Sequence, residues 1–102
     1  MIVAVNKPMG WTSFDVVDKI RSLIGEKKIG HAGTLDPFAA GVLVVGIGRE
    51  STKRLSEFTN AYKVYEATLR LGLATDTLDV KGKITEKKSV PEINESKVLA
   101  VF

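Results

Sequence analysis

Three observations make this sequence compatible with an α+β fold. Two short apolar runs, Ile2–Asn6 and Gly41–Ile47, have the length and content of buried strands. Between them lies a stretch with helical apolar spacing. A third region, Tyr62 to Leu73, alternates apolar and polar residues with the period of a half-buried strand. The resulting order, strand–helix–loop–strand–helix–strand, is compatible with an α+β architecture but singles out no topology.

Taken in chain order, the first strand ends at Lys7-Pro8-Met9-Gly10, a turn-forming run. Thr12 with Asp15 three residues on forms a capping box with Asp in place of Glu. Val16, Val17, Ile20, Leu23 and Ile24 then recur at i, i+3, i+4 spacing, and Gly25 suits the helix C-terminus. Glu26-Lys27-Lys28 leads into a glycine-punctuated loop, and the second strand follows. A short helix is expected over residues 49–58, with Leu55 and Phe58 inward. In the alternating strand, Tyr65, Ala67, Leu69, Leu71 and Leu73 share one face. Asp79-Val80-Lys81-Gly82 reads as a turn into a strand over Lys83–Lys88, and Pro91 opens a helix-like segment, Glu92–Phe102.

The 102 residues fit one domain or part of one, and 44% hydrophobic content argues against disorder. The net charge is +3, with pI about 9.3. Residues 1–63 hold nine basic and six acidic side chains and residues 64–102 hold six of each, so the surplus lies entirely in the first part. A nucleic-acid partner is compatible with that distribution but not required by it. The absence of cysteine excludes disulfides and thiolate metal sites, and a single histidine makes a histidine-based zinc site improbable. No apolar run approaches the ~20 residues of a membrane span, and a cytoplasmic location is the expectation. Gly46-Ile47-Gly48-Arg49-Glu50-Ser51-Thr52 lacks the Gly-Lys-[Ser/Thr] ending of a P-loop.

The most informative stretch is Gly30-His31-Ala32-Gly33-Thr34-Leu35-Asp36-Pro37. Gly30 and Gly33 let a ligand approach the main chain, while Pro37 biases Asp36 toward an extended conformation. The carboxylate could serve as a nucleophile, a general base or a turn-former bonding its own backbone.

This loop, followed by Ala40-Gly41-Val42-Leu43, resembles the catalytic motif of the TruB family of tRNA pseudouridine synthases. Asn6-Lys7-Pro8-Met9-Gly10-Trp11-Thr12-Ser13 resembles the family's "K-P-x-G-x-[ST]-S" segment. Lys63-Val64-Tyr65 with Leu71-Gly72 resembles its "K-x-Y" strand, and Thr75-Asp76-Thr77 through Gly82 its "T-D-T-x-D-x-x-G" turn. Four motifs in family order are far more specific than any one. The resemblance implies a pseudouridine synthase core, a mixed and largely antiparallel sheet flanked by helices, incomplete at the C-terminus. Residues 1–102 would be the N-terminal part of the catalytic domain, since the family's "G-T-Y-I-R" strand and its arginine are absent and the chain stops on the apolar Val98, Leu99, Val101 and Phe102.

The resemblance further implies an enzyme acting on tRNA, isomerising the T-loop uridine at position 55 within the T-arm stem-loop, as a monomer with no cofactor or metal. Asp36 would be the nucleophile, Tyr65 the ring that stacks on the flipped base, and His31 a group that helps flip or hold the nucleotide. Asp79 would lie near the cleft, and Lys7 would have a structural or RNA-backbone role. Lys27, Lys28, Lys53, Arg54 and Lys63 are candidates for phosphate contacts. The alternative is a catalytically incomplete fragment that binds RNA or serves structure only. An unrelated hydrolase built on Asp36 and His31 would need a second carboxylate or a metal cluster nearby, and the sequence offers neither.

Overall fold

A computed structural model describes residues 1–102. It is α+β, and the chain forms two compact units, Met1–Lys63 and Val64–Phe102.

In the first unit, β1 (Ile2–Lys7), β2 (Ile29–Ala32) and β3 (Gly41–Ile47) form a sheet of order β1-β3-β2. Both pairings are antiparallel, with Lys7 opposite Gly41 and Ala32 opposite Val44. The segments that follow β1 and β2 therefore leave from the same end of the sheet, which sets residues 8–12 beside residues 33–40. Helix α1 (Ser13–Ile24) starts at the expected capping box: the Asp15 amide donates to Thr12 Oγ1 at 3.0 Å and the Thr12 amide to Asp15 Oδ2 at 2.8 Å. It stops at Gly25, whose φ of 72° suits glycine. Val16 and Val17 of α1 pack with Ile29, Leu43 and Val45 as the core, edged by Val3, Val5, Ile20 and Ile47.

Side chains alternate across a strand, so Gly30 and Gly46 face the other side. There lie α2 (Arg49–Lys53) and α3 (Leu55–Thr59). The single helix expected over 49–58 is thus two, because the Arg54 amide bonds the Ser51 carbonyl three residues back and tightens the turn. Strand β2 replaces part of the expected loop. Its four residues include a glycine and show no alternation; pairing with β3 makes it a strand.

In the second unit, β4 (Leu73–Thr75) and β5 (Ile84–Lys87) form an antiparallel hairpin, and α4 (Glu95–Leu99) is capped by Asn94. The strand expected from Tyr62 to Leu73 is corrected: only Leu73 of that span is in a strand. Alternation marks a strand-competent segment, but a strand forms only when a neighbour supplies its hydrogen bonds. No backbone bond inside the chain reaches Val64–Leu71. Its apolar side chains are exposed, Val64 at 98% and Leu69 at 69%. The helix expected from Glu92 shortens to α4, and Val98, Leu99, Val101 and Phe102 are all exposed.

Candidate active site

Asp36 sits in the connection between β2 and β3 and is exposed. The chain has five aspartates, and four are engaged. Asp15 holds the cap of α1 and Asp18 pairs with Arg21 at 2.8 Å. Asp76 accepts from the Lys83 amide, and Asp79 accepts from Thr77 Oγ1 and the Lys81 amide. Asp36 alone has a carboxylate with no hydrogen bond; only its backbone carbonyl is used, accepting from the Ala39 amide at 2.9 Å. The turn-forming alternative for its side chain is therefore not what the geometry displays. The carboxylate is available to a ligand.

The residues on either side of Asp36 are fixed. Ser13 Oγ, 3% exposed, accepts from the Leu35 amide at 3.0 Å and donates to the Leu35 carbonyl at 3.3 Å. On the other side, the Gly10 amide donates to the Pro37 carbonyl at 2.6 Å. The segment after β1, with the start of α1, thus holds the 33–40 loop at two points that flank one free carboxylate.

Lys7 ends β1 and is fully buried, its ammonium donating to the carbonyls of Pro8 and Trp11. It ties together the turn that carries Gly10, and a side chain so enclosed has no surface to offer a phosphate. That geometry favours the structural one of its two expected roles. A buried cation needs such partners, because an unpaired charge out of water is costly.

His31 lies on β2 opposite Val45 rather than in a loop. Its Nδ1 is 2.9 Å from the Gly33 carbonyl. A carbonyl only accepts, so Nδ1 carries the hydrogen and Nε2 of the neutral ring is left as an acceptor. Gly33 has φ 75°, a conformation glycine adopts without strain, and the Lys63 stem lies against it. Lys63 Nζ donates to the carbonyls of Thr59 and Ala61. Among the other phosphate candidates, Lys53 and Arg54 pair with Glu50 and Glu57 at 3.2 Å, and hydrogen bonding to Glu57 raises the Arg54 pKa. Lys27 and Lys28 are exposed, with ammonium groups free of partners.

Tyr65 and Asp79 belong to the second unit. Tyr65 is 68% exposed. The Asp79 carboxyl is held below the usual carboxylate range, first by the Thr77 hydroxyl and then by the Lys81 amide. Its oxygens organise the Thr75–Gly82 turn, a role the Asp-x-x-Gly spacing anticipates.

Ser13 is a further residue of the site, one to which its place in the Asn6–Ser13 motif attaches no role. The signal was present: Ser13, Val16 and Val17 stand at i, i+3 and i+4, so a serine occupies the apolar stripe of α1. A hydroxyl on a buried stripe needs a partner, and Leu35 supplies it.

The family described as "TruB family pseudouridylate synthase (N terminal domain)" matches residues 21–102. The tRNA pseudouridine synthase B of Thermobifida fusca (strain YX) is 50% identical over 99 residues, covering 97% of this chain and 33% of that protein. The protein of the same name from Desulfotalea psychrophila is 52% identical over 89 residues, covering 87% of this chain and 36% of its own length. That of Corynebacterium glutamicum is 48% identical over 99 residues, again 97% and 33%. The chain spans about a third of the length of these curated relatives.

Proposed function

Because the chain belongs to the TruB family of pseudouridylate synthases, we propose that it supplies the nucleophile-bearing part of a cytoplasmic tRNA pseudouridine synthase acting on the T-loop uridine at position 55. The observation that carries this reading is Asp36, the one unengaged aspartate, on a loop tied down on both sides. An ionised carboxylate is a competent nucleophile. The Asp36 carboxylate attacks C1′ as the N1–C1′ bond breaks, forming an ester. The released base turns and its C5 displaces the carboxylate, so the ester bond breaks as the C5–C1′ bond forms; C5 then loses a proton and N1 gains one. Atoms balance, and the reaction is an isomerisation.

The uridine has to leave its stack first, at a cost of a few kcal/mol. Stacking on an aromatic returns roughly 1–3 kcal/mol per base, and Tyr65, which is exposed, is assigned that role. His31 is assigned to holding the nucleotide through Nε2. Lys27 and Lys28 are assigned to phosphates, and Lys7 to the integrity of the loop.

A second reading, an RNA-binding or structural role without turnover, draws on Lys27 and Lys28, which are exposed with ammonium groups free of partners. The test measures pseudouridine at position 55 of a T-arm stem-loop. It compares the chain alone with residues 1–102 grafted in place of the matching stretch of the Thermobifida fusca relative. Site-specific pseudouridine from the graft supports the first reading. RNA binding by both without product supports the second.

A further inference from the structure

We infer that Ser13 is a positioning residue for Asp36, acting through the backbone of Leu35. This rests on the proposed function above, and it adds a residue that the chemistry alone does not require.

The hydroxyl at position 13 both accepts from the Leu35 amide and donates to the Leu35 carbonyl. One small side chain therefore satisfies both backbone groups of the residue immediately before the nucleophile. It does so from a residue that is itself only 3% exposed, so the hydroxyl depends on Leu35 for its partners. Its own placement is rigid. Ser13 opens α1 directly after the Thr12 capping box, and Val16 and Val17, one turn on, are core residues. Position and orientation are thus passed from the packed core through α1 to Leu35 and so to Asp36. The Gly10–Pro37 bond fixes the far side. Asp36 cannot supply this restraint itself, because its carboxylate bonds to nothing in the chain and hangs on the backbone alone. Loss of the hydroxyl leaves the carboxylate chemically intact but free to drift, and a drift of about 1 Å costs an enzyme roughly a hundredfold in rate.

A merely structural serine would lower stability without changing how the bound substrate reacts. Three variants separate the two cases: Ser13→Ala, which removes both bonds; Ser13→Thr, which keeps the hydroxyl; and Thr12→Ala, which weakens α1 at its cap and leaves Ser13 in place. Amide exchange in the 102-residue chain is followed by NMR, and turnover is followed in the Thermobifida graft. With Ser13→Ala, Leu35 should exchange at least about tenfold faster while the Val45 amide stays protected. In the graft, kcat should fall roughly tenfold to a hundredfold with KM within about threefold. Ser13→Thr should recover most of the loss in kcat, and Thr12→Ala should leave kcat near the parent value. The inference is overturned if Leu35 keeps its protection in Ser13→Ala, if kcat is unchanged, or if Thr12→Ala lowers kcat as much as Ser13→Ala. Should Ser13→Thr fail to fold, as judged by loss of Val45 protection, the contrast between Ser13→Ala and Thr12→Ala decides alone. A parent graft without turnover overturns the proposed function and this role together, while Leu35 exchange still reports separately whether Ser13 holds the loop.

Discussion

Gly30 and Gly46 stand directly opposite one another where β2 pairs with β3, and the two methyl groups of Leu55 cover one glycine each. A Cβ built at Gly30 would lie 3.2 Å from Leu55 Cδ1, a flexible side-chain atom. At Gly46 it would lie 3.1 Å from the backbone carbon and oxygen of Ser51 and 3.2 Å from Leu55 Cδ2. The paired glycines let α2 and α3 approach one face of the sheet whose other end carries the Asp36 loop.

This difference orders two substitutions. Gly46→Ala pushes against main chain that cannot rotate away, so it should cost more stability than Gly30→Ala, where Leu55 can turn. Overpacking of this kind costs roughly 1–3 kcal/mol. Urea unfolding of the first unit, with β-sheet signals as the readout, checks the order; equal midpoints for the two variants would contradict it.

Lys7 and the exposed lysines should part company in salt titrations. Each phosphate contact contributes about one unit to the slope of log affinity against log salt. Lys27→Ala and Lys28→Ala should each flatten that slope in T-arm RNA binding. Lys7→Met should leave the slope alone and lower stability, because the Pro8 and Trp11 carbonyls lose their donor, at roughly 1–3 kcal/mol for buried groups left unpaired. A flattened slope for Lys7→Met would reinstate a role on the RNA backbone.

Acid should loosen both carboxylate-organised turns. Asp79 is held below the ordinary value of 3.8 by the Thr77 hydroxyl and the Lys81 amide, and Asp15 by the Thr12 amide and hydroxyl. A depressed folded-state pKa means the unfolded chain binds the extra proton first. The contribution is therefore complete above the unfolded value and is lost as pH falls through the folded one. Amide shifts of Lys81 and Thr12 should stay flat from neutrality to about pH 5 and move only below about pH 4. Movement near pH 6 would show that other groups control these turns.

What the sequence made legible was local. The capping box at Thr12 and Asp15, the apolar stripe of α1, the stop at Gly25 and the apolar runs of β1 and β3 each carry their signal within one element. What stayed hidden depended on partners distant in sequence. Ile29–Ala32 becomes a strand only because β3 lies beside it, and Val64–Leu71 has the alternation of a strand without a neighbour to bond it. Asp36 was legible as a residue type in a motif. Its distinguishing property, a free carboxylate between two anchored neighbours, required the fold to bring residues 10 and 13 beside residues 35 and 37. Ser13 was visible as a polar break in an apolar stripe, but its partner was not.

On the proposed function, the Asp36 carboxylate forms and breaks a bond to the nucleotide. Pseudouridine formation at the T-loop uridine by the Thermobifida graft, compared with the same graft carrying Asp36→Asn, tests it most directly. Asparagine preserves the size of the side chain and removes the attacking charge. Turnover should fall by a factor on the order of 10⁴ or more, with T-arm RNA affinity and β-sheet amide protection unchanged. Turnover of the Asp36→Asn graft within about tenfold of its parent would mean that the carboxylate is not the nucleophile.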